Sequence, residues 1–445
     1  MLRVAIEQTN ARMQLAAPVY CPDRPDQVLL RTGYRLTDAV IDRLRKMHVP
    51  HVWIACPGLG DLCRHLNPEV LQQRGELARR VQQAFEVAQN QAVARLDYHT
   101  YRQTIAGLVE KLLSHPASIV ALDELAANNT TLMGHSLRVS YLAVLLGLKL
   151  DAYLVKQRWR LSPRRAKDVT NLGLGAMLHD IGRVAMHRRP GAWPEPHPLE
   201  ELADPATLAN PNGDGEARDW RHHVVLGAKM IHQRVDPTAH AVVAHHHQHY
   251  DGSGFPQLSN GRNASAPAGD HIHIYPRIAC VADVYDRLRH PGGDRESSAV
   301  AALGAMLQPP LIDWFDPKVL GALIEAVPPY PPGTAVTLSD GRRAAIVRHQ
   351  PPTPCRPVVQ IIDANAAGEP VTLDPAEAAA AAGEPVTLDP AEDGAAASEP
   401  VTLDLAEDGA PTIAEADGCD VSDLNFSLPA HWGDPRIATA AHAWA

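Results

Sequence analysis

Residues 170–182 read TNLGLGAMLHDIG. An apolar helical pattern runs into an adjacent His179-Asp180 pair and stops at Gly182. A neighbouring imidazole and carboxylate at a helix end can both reach one cation, and a carboxylate has a second oxygen with which to bridge to another. An isolated pair of this kind is more often a satisfied core hydrogen bond. What changes the reading is the rest of the chain. Fifteen of its 23 histidines lie between His135 and His290, and neutral imidazole is a common metal ligand.

Working outward, the segments around this pair are helical. TLMGHSLRVSYLAVLLGLKL (131–150) places Leu132, His135, Val139 and Leu142 on one face. VVLGAKMIHQRV (224–235), AHAVVAHHHQHY (239–250) and PRIACVADVYDRL (276–288) continue the pattern. His135 and Asp283 fall on apolar faces, where a lone polar ring or carboxylate is costly to bury. His223 opens one helix, and His246 and His247 close another just before the glycine turn DGSGFP (251–256). Five histidines and two carboxylates on helices that pack apolar faces suit a dinuclear site, with iron or manganese favoured by the donor set and zinc compatible with it. The Pro-, Gly- and Asn-rich run at 190–217 reads as a long loop or lid.

Beyond this helical block, residues 14–56 carry strand-like QLAAPVY, QVLL and PHVWIAC around the helix LTDAVIDRLRKMHV, with Thr37 or Asp38 as its cap. Residues 65–120 are amphipathic and helical. After FDPKVLGALIEAV (315–327), short strands surround the turn Ser339-Asp340-Gly341. EPVTLD then recurs at 369, 384 and 399 in an Ala-, Glu- and Asp-rich context. The expected organisation is a small α/β module over 1–62, a helical connector over 63–120, a metal-binding helical domain over 121–328, a small β extension over 329–375 and an acidic, disordered tail over 376–445. The fold class is mainly α.

The net charge of −10 is uneven. Seventeen of the 51 acidic residues and one of the 41 basic ones lie in 361–445, which leaves 34 acidic and 40 basic residues before them. The body is mildly basic, permitting an anionic ligand. The longest apolar run, YLAVLLGL, is far short of the roughly 18 residues that cross a bilayer. The N-terminus lacks an apolar signal core, and six cysteines show no CxxC spacing. A cytoplasmic protein with reduced thiols is expected.

In order, HSLRV (135–139), LHDIG (178–182), HVVLG (223–227), HHQHYDGSGFP (246–256) and IACVADVYD (278–286) resemble the motifs of the HD-GYP family, a branch of the HD-domain metal-dependent phosphohydrolases. With flanking similarity the resemblance covers about residues 1–365. It implies an HD-type helical bundle and hydrolysis of cyclic di-GMP to the linear dinucleotide and/or GMP. It implies two divalent metal ions, iron or manganese, held by His135, His179, Asp180, His223, His246, His247 and Asp283, with Asp180 bridging. A metal-bound hydroxide between them would attack the phosphodiester in line. Asp180 and Arg183 are the catalytic candidates. Arg183, Asp251, Gly252, Gly254, Phe255 and Pro256 are the substrate-side candidates. His222 is the alternative to His223, and His245 and His249 flank the ligand pair.

Several positions depart from the family pattern. Arg183 stands where a lysine is expected, Gln248 where a glutamate is, and Phe255 where a tyrosine is. RLRHPGG (287–293) replaces a serine-, arginine- and proline-containing phosphate contact, with Arg287 or Arg289 as candidate substitutes. Thr131 stands where a third-metal glutamate occurs, so two metals are expected. Two other readings stay open: a non-catalytic cyclic di-GMP sensor or interaction module, and an HD hydrolase of another nucleotide. The partner expectations are a cyclic dinucleotide, no DNA or RNA polymer, no membrane span, and a homodimer or signalling protein as candidate assembly. The N-terminal module is either regulatory or a packing appendage.

Overall fold

The computed structural model describes residues 1–21, 24–47, 49, 51–56, 59, 68–89, 97–114, 132–186, 220–259, 264–291, 297–362 and 401–429. Its N-terminal part holds β1 (Leu2–Ala5), β2 (Val19–Cys21), β3 (Arg24–Leu30), α1 (Asp38–Lys46) and β4 (His51–Ile54). Thr37 caps α1, its Oγ1 accepting from the Val40 N–H at 3.4 Å, so of the two expected caps Thr37 is the one used. β1 pairs antiparallel with β4, and β2 with β3. The helix buries Ile41 and Leu44 against these strands.

The helical body follows as α2 (Pro68–Gln89), α3 (Tyr98–Ser114), α4 (Leu132–Lys149), α5 (Asp151–Gln157), α6 (Pro163–Ala166), α7 (Thr170–Leu178), α8 (Ile181–Met186), α9 (His223–Ile231) and α10 (Pro237–His245). A two-strand hairpin, β5 (Leu258–Ser259) and β6 (Ala264–Ser265), precedes α11 (Ile274–Arg289), α12 (Ala299–Met306), α13 (Leu311–Trp314) and α14 (Pro317–Ala326). Helix α11 is buried over nearly its whole circumference and is the axis of the bundle. It packs on α4 and α10, and α7 lies against both of those helices. Of the stretch 63–120, expected as a connector, the described residues 68–89 and 97–114 belong to this body. Val81, Phe85, Ile105 and Leu108 from α2 and α3 share one core with α4 and α7. Among the described residues no helix is long and apolar enough to cross a membrane.

Glycines set how closely these helices cross. A Cβ on Gly182 would collide with the His223 carbonyl and the Gly227 N–H, so α8 touches α9 backbone to backbone. Gly175 comes equally close to α10, against the Ala239 carbonyl and the Val242 side chain. The glycine that ends LHDIG is thus a helix-crossing residue, and the crossing delivers His223 next to Asp180.

The C-terminal part differs from expectation. β7 (Ala335–Leu338) and β8 (Arg343–Arg348) form the expected hairpin, with Gly341 at φ +86°, and β9 (Val358–Ile361) adds to it. Residues 401–429, expected within a disordered tail, contribute three more strands. These are β10 (Thr402–Asp404), β11 (Ile413–Ala416) and β12 (Cys419–Asp420), in a six-stranded sheet ordered β10-β9-β8-β7-β11-β12. The third EPVTLD copy supplies β10; the first two lie outside the described residues. Leu405, Ile413 and Val421 are buried in the sheet core, an apolar content that the acidic composition masked. Arg3 binds the Gly333 carbonyl through its N–H and Asp417 through its guanidinium, at 2.8 Å each, which fixes the N-terminal strands to the sheet.

Leu405→Ala should lower stability by about 2–5 kcal/mol through the cavity it leaves. Urea unfolding measures this; a change below about 0.5 kcal/mol, the range of a surface substitution, would mean that the segment does not pack as described.

Candidate metal centre

His179 and Asp180 form the turn between α7 and α8. Around them stand His135 on α4, His223 at the first turn of α9, His246 and His247 after the last turn of α10, and Asp283 in the middle of α11. All seven are 0–2% exposed. The structure therefore gathers every residue expected as a ligand into one interior site. It also separates His223, which is buried, from His222, which is exposed.

The imidazoles are held from outside. His135 Nδ1 lies 2.7 Å from Asp286 Oδ2, His179 Nδ1 2.7 Å from the Ala176 carbonyl and His223 Nδ1 2.6 Å from the Trp220 carbonyl. His246 Nδ1 is 3.2 Å from the Val242 and Val243 carbonyls. These acceptors place the ring proton on Nδ1 and leave the Nε2 lone pair facing inward. The inward nitrogens then confront one another: His135 and His179 Nε2 are 3.2 Å apart, and His223 and His246 Nε2 are 3.3 Å apart. Two lone pairs at that separation repel unless a cation lies beside them.

The carboxylates complete two donor sets. Asp180 Oδ1 is 3.0 Å from His223 Nε2 and 3.7 Å from His246 Nε2. Its Oδ2 is 3.6 Å from His179 Nε2 and 3.8 Å from His135 Nε2. Asp283 Oδ1 sits 2.9 Å from His135 Nε2, and its Oδ2 lies 3.8 Å from His247 Nδ1. One donor set is therefore His135, His179 and Asp180, and the other is Asp180, His223, His246 and His247. Asp180 belongs to both. Buried Asp180 Oδ1, Asp283 Oδ2 and His247 Nε2 have no hydrogen-bond partner among the described residues, a costly arrangement that a bound divalent cation would relieve. Nitrogen and carboxylate donors in this number fit such cations.

Burial pushes His223 down to about 4, helped by the Arg183 guanidinium, and pushes His246 and His247 below the ordinary imidazole range. These rings are neutral, as ligands must be. Burial opposes the charge on His179 as well, but Asp180 and Asp283 outweigh it and raise its pKa. Burial likewise opposes ionisation of Asp180 and Asp283. Arg183 and Arg287 respectively, with the neighbouring imidazoles, hold both carboxyls well below their usual range.

The substrate-side candidates divide. Arg183 is buried with Nε 2.8 Å from Asp180 Oδ2, so it lies in the centre itself. Phe255 stacks on the His247 ring at 4.7 Å and meets Trp220 edge-on at 5.3 Å. Gly254 lies so close to the His247 and His249 backbone that any Cβ would collide with it. Asp251 does not reach the cluster. Its Oδ1 accepts from the Ser253 N–H at 2.8 Å and builds the turn, with Gly252 at φ +85°. The Pro256 carbonyl accepts from Gln248 Nε2 at 2.6 Å. His249 points away, stacked on Trp314 at 3.9 Å, and His245 lines an apolar groove with Val224, Ala228 and His240. The lid expected over 190–217, and Thr131, lie outside the described residues.

Sequence reasoning missed Asp286 and Arg138. Asp286 accepts from Arg138, whose Nη2 is 3.0 Å away, while it holds His135. The available signal was spacing: Asp286 follows Asp283 by three residues, and Arg138 follows His135 by three, so each pair shares a helix face.

Residues 132–288 match the HD domain family. The chain is 27% identical over 292 residues to a cyclic di-GMP phosphodiesterase of Pseudomonas aeruginosa, covering 60% of each chain. It is 26% identical over 154 residues to a 3'3'-cGAMP-specific phosphodiesterase of Vibrio cholerae, covering 33% of this chain and 24% of that protein. It is 26% identical over 161 residues to a cyclic di-GMP phosphodiesterase response regulator of Xanthomonas campestris pv. campestris, covering 36% of each. The chain thus spans less than two thirds of the length of these relatives. A solved structure of an HDG"Y"P protein from Bdellovibrio bacteriovorus aligns with a TM-score of 0.40 at 16% identity, covering 72% of this chain and 97% of that one.

His249, pushed down to about 4 by burial, gives a pH test away from the donor sets. Between its ordinary value of 6.5 and about 4 the unfolded chain binds a proton that the folded chain refuses, so stability falls as pH drops through that window. His249→Phe, which keeps a ring against Trp314, should lose less stability over the same range in urea titrations. Equal slopes would show that His249 does not carry the effect.

Proposed function

We propose that this chain, whose residues 132–288 match the HD domain family, is a metal-dependent phosphodiesterase of the HD-GYP type that hydrolyses cyclic di-GMP to the linear dinucleotide and/or GMP. The observation that carries this reading is the set of inward Nε2 lone pairs, each fixed by an outer acceptor, around a carboxylate shared by two donor sets. In this reading His135, His179, Asp180 and Asp283 hold one divalent cation, and Asp180, His223, His246 and His247 hold the other. Iron or manganese suits those donors. Such cations, when bound, would polarise a phosphodiester and lower the pKa of water.

The chain's own residues do the rest. Asp180 ties the two positions together through its two oxygens. Asp286 fixes the tautomer of His135 and strengthens it as a donor. Phe255 and Trp220 wall the His247 side with rings and limit water there. Gly254 lets the DGSGFP turn sit directly against the backbone of His247 and His249, next to the second donor set. Arg183 and Arg287 flank Asp180 Oδ2 and offset the charge of the buried carboxylate.

Full-length protein prepared anaerobically with iron or manganese should convert cyclic di-GMP to linear dinucleotide or GMP, read by chromatography, with 3'3'-cGAMP run alongside. Intact nucleotides at full metal occupancy would sink the hydrolase reading and favour a sensor. Asp180→Asn should reduce turnover by roughly a hundredfold or more, since it touches both donor sets. Asp286→Asn should weaken metal affinity about ten- to hundredfold, as loss of an outer partner does. Unchanged affinity would remove Asp286 from that role.

A further inference from the structure

We propose that Arg287 makes the two cation positions unequal, holding the Asp283 side of the centre with its own charge and leaving the His223–His246–His247 side as the high-affinity position. The inference rests on the reading of the cluster as a divalent-metal site.

The asymmetry is visible oxygen by oxygen. Arg287 Nε donates to Asp283 Oδ1 at 2.8 Å, and Nη2 donates to Asp180 Oδ2 at 3.3 Å. Arg183 Nε lies 2.8 Å from the same Asp180 Oδ2. Both oxygens that face His135 and His179 therefore already meet a guanidinium. Asp180 Oδ1, which faces His223 and His246, has no hydrogen-bond partner among the described residues, and neither has Asp283 Oδ2, which lies 3.8 Å from His247 Nδ1. The open oxygens of both carboxylates therefore lie towards the second histidine set.

Arg287 is also fixed in place. It follows Asp283 by one helical turn on α11 and is 3% exposed, so the pair is local to one buried helix. Arg183 and Arg287 balance the charges of Asp180 and Asp283. A first dication enters a balanced site, and a second entering beside Arg287 meets both that dication and the guanidinium.

The test is titration of metal-stripped, full-length protein with Mn²⁺ in the absence of nucleotide, followed calorimetrically. One equivalent should bind tightly and a second at least about tenfold more weakly, because like charges share the second position. Arg287→Met should tighten the second equivalent by a similar factor. If that variant does not fold, Arg287→Gln serves, and the wild-type titration stands by itself. Two equivalents of equal affinity in the wild type, or an unchanged second equivalent in a folded variant, would overturn the proposal alone. No Mn²⁺ binding would overturn it together with the metal reading. Unequal binding without hydrolysis would uphold it and sink only the phosphodiesterase.

Discussion

Two ionised carboxylates stand with almost no exposure at the centre of a helical bundle, and the surrounding structure answers to that constraint. Asp180 and Asp283 are costly to bury. Five imidazoles and two guanidinia surround them, and the helices that carry those groups must converge on one point. The rings of His135, His179, His223 and His246 are in turn tied to nearby backbone carbonyls or to Asp286. The cluster is therefore a continuous polar network with a few open lone pairs, which lie where a cation can use them.

Convergence depends on small residues as much as on charged ones. Gly182 lets α8 touch α9 backbone to backbone, and Gly175 lets α7 close onto the Ala239 carbonyl and the Val242 side chain of α10. Without those contacts His223 and His246 would stand farther from Asp180. The same close approach recurs at Gly254, where the turn after the paired histidines lies on their backbone. Packing and chemistry are thus set by one group of helix crossings.

The flanking parts join through the sheet. Arg3 links the N-terminal strands to Gly333 and Asp417, and Ala345 of β8 belongs to the N-terminal core. An acidic, repetitive stretch supplies strands to this sheet because a few apolar residues, Leu405, Ile413 and Val421, are enough to bury one face. Composition averages over such residues, which is why it pointed to disorder.

The sequence by itself determined the helical class, the seven clustered residues and their family resemblance. Helical periodicity and motif order are local properties, and each motif places its polar residue on an otherwise apolar face. Only the tertiary structure decided between His222 and His223, turned His245 and His249 away, moved Asp251 into a turn and brought Arg287 onto Asp283 and Asp180. It also revealed Asp286 as the outer partner of His135. Those outcomes depend on which helix faces meet, and the contacts join residues as far apart as His135 and Asp286, beyond the reach of any local pattern.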